Sequence, residues 1–342
     1  MKLAVYGSIE RVGFLADGKV VDALRATGAY LEQSEGEAHP MEMASGLIGS
    51  DLMGFIIGGD RALKTARKVI EWWREAGKNN AMLAMDVKGV KLMAPMVHSN
   101  TLKVMMAGGN YADHLAALYS RTRRSPVTQE MARSETKKDL MWGFYKLGGN
   151  IVGDGDPIPY PSRTQRLDYE GEVAVVFGKR GKDIKAGDYL DHVFGVTLMN
   201  DLSIRDGGGK WDKQGVYTFQ FGKNFDSSGV LGPCIVTKDE VADPANVEFW
   251  TKVNGQVRQK GNTRDMIRTF GEYAQLLSTD LVINPGDVIS GGTCAGTALD
   301  MSDVDANNTL RPELFLKVGD AVEVGSPVIG SITNKIVAKS RQ

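Results

Sequence analysis

Three acidic side chains carry the first chemical signal in this sequence. In DYEGEVAVVFGK (168–179), Glu170 and Glu172 stand two apart at the mouth of an apolar run. Residues two apart in a strand share a face, with Cα atoms roughly 6.5–7 Å apart. Two carboxylates so placed, at ~5 Å and an effective dielectric near 20, repel by about 3 kcal/mol. A shared proton relieves that repulsion, and so does a cation; the pair also suits a solvated strand face. A third acid, Asp201, sits where a second apolar strand, HVFGVTLMNDLSIRD (192–206), runs out into polar residues. An all-oxygen set of two glutamates and an aspartate favours a hard ion: Mg²⁺, with Mn²⁺ or Ca²⁺ as alternatives.

Other residues suit proton or anion handling. His114 follows a glycine turn in AGGNYADH, and an imidazole there can act as general base near neutral pH. Lys223, in FGKNFD, is placed to counter a substrate anion. GGTCAGTALD (291–300) is a glycine-rich loop whose N–H groups and Thr293 hydroxyl suit a carbonyl or carboxylate oxygen. It lacks the Gly-Lys-[Ser/Thr] ending of a phosphate-binding loop, so no nucleotide is implied. Asp206 either pairs with Arg205 or caps a turn, and Gly207, Gly208 and Gly209 leave the backbone free to approach a ligand.

Whole-chain properties narrow the classes. The 342 residues carry 41 Lys+Arg against 42 Asp+Glu, a net charge of −1 that argues against a dedicated nucleic-acid binder. Two cysteines cannot build a disulfide framework or a thiolate zinc site, and four histidines leave little room for a multi-histidine metal site. The opening MKLAVYGSIERVGF is broken by Gly7, Glu10 and Arg11 before a signal core forms, and no apolar run reaches the ~18 residues of a membrane span. A cytoplasmic protein is expected, with Cys234 and Cys294 as small buried thiols.

The elements that must position these residues fall into two parts. Residues 1–22 read as a β-hairpin around Asp17-Gly18, and Asp60 to Gly77 reads as a helix with Asp60 as N-cap and Trp72 and Trp73 as packing groups. Together they suggest a small α+β unit over 1–92, with a catalytic domain over 93–342. KVMMAGGN (103–110) reads as a buried strand entering a turn, and YADHLAALY (111–119) as a helix. The charged stretch 120–140 reads as a mobile surface segment or lid. Beyond residue 150 the texture is mostly β, with one helix announced by a Thr269–Glu272 capping box. Many short strands without regular helical crossovers argue for a sandwich or rolled sheet.

These segments, in this order, resemble the fumarylacetoacetate hydrolase family over about residues 95–335. The likeness rests on LMAPM, GGNYADH, GDGDPIPYPSRTQRLDYEGEVAVVFGK, GVTLMNDLSIRD, GKNFD, LGPCIVT, NGQVRQKGNTRDMI, LVINPGDVISGGT and KVGDAVEVGSPVIGSITNKI. The first ~92 residues look like the small N-terminal domain of its bacterial members. The resemblance implies an α+β, mostly β fold, a mixed β-sandwich roll, with a divalent metal, usually Mg²⁺, and a homodimer. It matches Glu170, Glu172 and Asp201 to the metal ligands, His114 to the catalytic histidine, Lys223 to the substrate-side lysine and Thr293 to the loop threonine. Lys146, in GFYKLGG, and Arg205 match positions that face the substrate.

Two positions depart from the family pattern. Where many members carry a glutamate three residues after the histidine, this chain has Ala117, and a glutamine expected after Asn200-Asp201 is replaced by the glycines around Gly208. A carboxylate from the charged insertion, Glu130 or Glu135, is the expected substitute. The reaction implied is metal-dependent hydrolysis of a C–C bond in a 1,3-diketone acid such as an acylpyruvate, through a metal-bound enolate. The alternative keeps the enolate and drops the water: a lyase or isomerase acting on a 2-oxo acid. A catalytically silent ligand-binding member is a third reading, which the intact acid set disfavours. The partner is a small 2-oxo or diketo acid, with no nucleic acid and no membrane.

Overall fold

Residues 171–177 are buried along their whole length, which requires cover on both faces of their strand. The computed structural model supplies it; it describes residues 1–96, 102–206, 216–241, 243–303 and 310–339. The glycine run 207–209 lies outside the described residues. Gly171–Phe177 pairs antiparallel with Val193–Asp201, which pairs antiparallel with Gly229–Thr237. On its other side it pairs with Val288–Ser290, followed by parallel Val104–Ala107 and antiparallel Gly143–Lys146. Alternation then divides the side chains. Val173, Val175 and Phe177 join a core with Phe249, Val322 and Val324 of a five-stranded sheet. Ala174 and Val176 face Phe55, Ile56 and Val69 of the N-terminal helices.

The N-terminal residues extend this sheet. Lys2–Tyr6, Arg11–Ala16 and Lys19–Asp22 form the expected hairpin and its entry, and Lys2–Tyr6 pairs antiparallel with Gly229–Thr237. Three helices follow: α1 (Ala23–Glu35), α2 (Pro40–Ile48) and α3 (Leu52–Trp72). The helix expected from Asp60 is the second half of α3. Gly59, at φ 51°, kinks the helix there, and the N-cap is Asp51, whose side chain accepts from the Gly54 N–H. Gly59 is non-helical, so α3 is two helical stretches meeting at a kink, and the second begins where the Gly-Gly-Asp run places a start. Trp73 is buried and Trp72 packs edge-on to Tyr30, so both are packing groups.

The charged stretch 120–140 is largely helical. It ends α4 (Ala112–Arg123) and forms α5 (Gln129–Lys138); Ala132 of α5 and Val127 just before it pack with Leu115 and Ile267. Arg133 and Arg268 fasten α5 through the backbone carbonyls of Asp265 and Lys137. The remaining helices are α6 (Val216–Lys223), α7 (Phe270–Ser278), which carries the expected capping box, and α8 (Ala298–Met301). Among the described residues no helix is long and apolar enough to cross a membrane.

One glycine joins fold to site. A Cβ on Gly171, between the two glutamates, would lie 2.1 Å from Thr251 Oγ1 of the facing sheet. Gly171→Ala is therefore expected to destabilise the protein by about 1–3 kcal/mol, the usual result of overpacking a core. Thermal or urea unfolding checks this, and an unchanged midpoint would refute the close approach of the two sheets.

Candidate active site

Register brings the acids together. Glu172 is paired with Met199, so Glu172, Met199 and Asp201 emerge on one face of neighbouring strands. Glu170 joins them from just outside its strand, where its carbonyl accepts the Asp201 N–H at 2.8 Å. One carboxylate oxygen from each of Glu170, Glu172 and Asp201 lies within 4.8 Å of the others, and all three side chains are buried. The solvated strand face is thereby excluded.

The cations are distributed unevenly over this cluster. Lys223 Nζ lies 2.5 Å from Glu170 Oε2 and 2.7 Å from Asp201 Oδ2. Lys146 Nζ lies 2.8 Å from Asp201 Oδ1 and also donates to the carbonyls of Ser228 and Lys223. Arg205 bonds Glu170 Oε1 through Nη2 and Asp168 Oδ2, at 2.9 Å, through Nε. Glu172 receives only neutral donors among the described residues, the Ser290 hydroxyl and the Gly292 N–H. Burial would raise Glu170, but Arg205 and Lys223 more than offset it and hold that carboxyl well below the usual range. Burial and the neighbouring charges of Asp201 and Glu170 push Glu172 well above it. Burial also pulls Lys146 down despite Asp201, whereas the two acids hold Lys223 above its ordinary value against the effect of burial. A hard divalent ion fits this oxygen set, because among the described residues no ammonium or guanidinium bonds Glu172.

The histidine has a carboxylate partner that sequence reading did not find. His114 lies in the first turn of α4, and its Nδ1 is 2.8 Å from Asp300 Oδ1 and 2.9 Å from Oδ2. Asp300 is itself held by the N–H groups of Gly296 and Thr297, and its own N–H donates to Thr297 Oγ1. Burial opposes protonation of His114, but the Asp300 charge outweighs it and keeps the imidazole above its ordinary value. The expected substitutes from the insertion are not the partners. Glu135 is paired with Arg123 at 2.6 Å on the exposed side of α5, and Glu130 is exposed on the same helix. A sequence signal for Asp300 existed: Thr297-x-x-Asp300 is a capping-box pattern, and the box forms.

The other expected residues stand as follows. Thr293 donates its hydroxyl hydrogen to Gly171 O at 3.0 Å and accepts from Gln259 Nε2 at 2.8 Å, so it braces the strand between the two glutamates. Gln259, unnoticed in sequence, also accepts from the Gly171 N–H. Asp206 does not pair with Arg205; it accepts from Thr164 and the Gln165 N–H and lies 3.3 Å from Arg166, because Arg205 is engaged by Asp168 and Glu170.

Residues 103–337 match the family model described as fumarylacetoacetate (FAA) hydrolase C-terminal. The mitochondrial oxaloacetate tautomerase fahd2 of Xenopus laevis is 33% identical over 83% of this chain and 77% of its own length. Oxaloacetate tautomerase YisK of Bacillus subtilis is 31% identical over 84% of this chain and 87% of its own. Among solved structures, a fumarylacetoacetate hydrolase from Exiguobacterium antarcticum superposes with a TM-score of 0.71 at 28% identity, covering 99% of this chain and 100% of that one.

Proposed function

Because this chain belongs to the fumarylacetoacetate hydrolase family, we propose that it is a divalent-metal-dependent enzyme that interconverts the enol and keto forms of a small 2-oxo acid. The observation that carries this reading is the buried His114–Asp300 pair, whose imidazole and the Glu170 carboxylate of the three converging acids feel each other's charge. Glu170, Glu172 and Asp201 would hold the ion, Mg²⁺ or Mn²⁺, which when bound supplies Lewis acidity toward the 2-oxo oxygen. With Nδ1 tied to Asp300, the Nε2 of His114 is the atom that takes the proton from the enol hydroxyl and returns it to carbon. Lys223 and Arg205, both on Glu170, provide the positive charge that a substrate carboxylate needs, and Lys146 and Thr293 keep the surrounding backbone in place. Relatives named oxaloacetate tautomerases make oxaloacetate the first substrate to try.

The same pair favours a second reading, hydrolysis of an acylpyruvate. A carboxylate-held imidazole can remove a proton from water, which would add to the far carbonyl before the C–C bond breaks and two acids leave. One experiment separates the readings. Oxaloacetate and an acylpyruvate are each given to the protein with Mg²⁺ or Mn²⁺, with and without chelator, while the ultraviolet enol band and the products are followed. Faster decay of the enol band with total oxaloacetate conserved is the expected result. Two acids from the acylpyruvate would select the hydrolase, and CO₂ from oxaloacetate a lyase. No turnover, together with no rise in melting temperature on adding either ion, would sink all three, since an ion that binds only the folded chain must stabilise it. Assembly as a homodimer belongs to the same proposal, and light scattering in solution tests it.

A further inference from the structure

Asp168 belongs neither to the acid triad nor to the His114–Asp300 pair, yet its carboxylate touches the supports of both. The side chain is fully buried. Its Oδ1 accepts the N–H groups of Tyr169 at 2.9 Å and Ala298 at 2.7 Å. Its Oδ2 accepts Leu299 N–H at 3.1 Å and Arg205 Nε at 2.9 Å. Ala298 and Leu299 are the first two residues of α8, and the third is Asp300. Arg205 carries the contact onward to Glu170. From the other side, Arg121 of α4 binds the Leu299 carbonyl, so the helix that bears His114 meets the same turn.

We propose that Asp168 is a positioning residue that couples the two halves of the site, holding Arg205 against Glu170 and the α8 turn against His114 with one carboxylate. The coupling rests on the reading of the site given above. Packing alone does not call for an acid here: a buried charge is costly unless every oxygen is matched, and the matching groups are the ones that lead to Glu170 and to Asp300. Both halves therefore depend on a residue that contacts neither ion nor substrate.

The test is Asp168→Asn in the full chain, with two readouts on the resting protein. Calorimetry gives the Mn²⁺ affinity, and nitrogen-15 magnetic resonance in chelator gives the titration of the His114 imidazole, assigned against His114→Asn. Mn²⁺ binding is expected to weaken by about 10- to 100-fold, as for loss of other outer partners of metal ligands. The imidazole is expected to lose its proton about one pH unit lower as its carboxylate partner loosens. Arg205→Lys keeps the charge but cannot span Asp168 and Glu170, so it should weaken Mn²⁺ and leave the imidazole titration in place. Thr297→Ala cuts the cap on Asp300 and should do the reverse. An Asp168→Asn protein in which only one readout moves, or neither, overturns the coupling. If it does not fold, Asp168→Glu carries the same expectations, and failure of both to fold overturns the proposal by assigning these contacts to folding alone. Absence of Mn²⁺ binding in the unaltered protein would remove the site reading and the coupling together, whereas normal Mn²⁺ binding with an unmoved Asp168→Asn removes the coupling only.

Discussion

Glu172→Gln is expected to melt higher than the unaltered protein at pH 8 in chelator, while losing its response to Mg²⁺ or Mn²⁺ and at least about 10³-fold in activity. The stability half follows from linkage. Burial, with Asp201 and Glu170 alongside, holds the Glu172 carboxyl well above its ordinary value. Between the ordinary carboxylate range and that raised value, the folded chain binds a proton that the unfolded chain has released. Stability contributed by that proton is complete at low pH and is lost as pH rises through the folded value. Glutamine does not titrate and escapes the loss, so the two melting curves should separate as pH increases. For a chain of this size each kcal/mol appears as roughly 2–4 °C. The activity half follows from removing a charged ligand, since several kcal/mol of charge stabilisation by a bound ion corresponds to about three powers of ten in rate. A Glu172→Gln protein that melts lower at pH 8 and still responds to the ions would show that this carboxylate is neither buried at a cost nor a ligand.

The second large effect belongs to Asp300. Asp300→Asn is expected to lower kcat by about 10²–10⁴-fold, the usual contribution of a positioned general base. The pH profile gives the sign. The Asp300 charge is what keeps His114 above its ordinary value against burial, so its removal lets burial pull the imidazole down. A reaction that needs neutral His114 should then show an acidic limb displaced to lower pH beneath a much reduced plateau. Glu130→Gln and Glu135→Gln should both retain full turnover, because Glu135 is held by Arg123 and Asp300 is the carboxylate on the imidazole. Stopped kinetics over pH 5–9 would decide it. An Asp300→Asn enzyme with an undisturbed profile would detach this residue from the proton transfer.

Local chemistry explains how much was readable in advance. Glu170 and Glu172 were legible as a pair because strand alternation is a property of two neighbouring residues, and Asp201 because an apolar run visibly ends there. The hairpin around Asp17-Gly18 and the Thr269–Glu272 cap formed as read, since turn and cap signals act within four residues. The Gly58-Gly59-Asp60 signal also marked a real break, non-helical at Gly59, while residues on both sides of it, Phe55 and Ile56 before and Ala62 and Leu63 after, belong to one core.

What only the tertiary structure decided are the contacts between distant segments. Asp300 meets His114 across 186 positions, Arg205 ties Asp168 to Glu170, and Lys223 bridges Glu170 to Asp201. Types and short spacings specify which groups are available and which way neighbours point. The pairing of charges depends on strand register and on how closely two sheets approach at Gly171, and those are set by the burial of dozens of apolar side chains at once. Residue identity therefore named the acids and the base, and the shared core determined which carboxylate stands beside the imidazole and which, among the described residues, receives neutral donors alone.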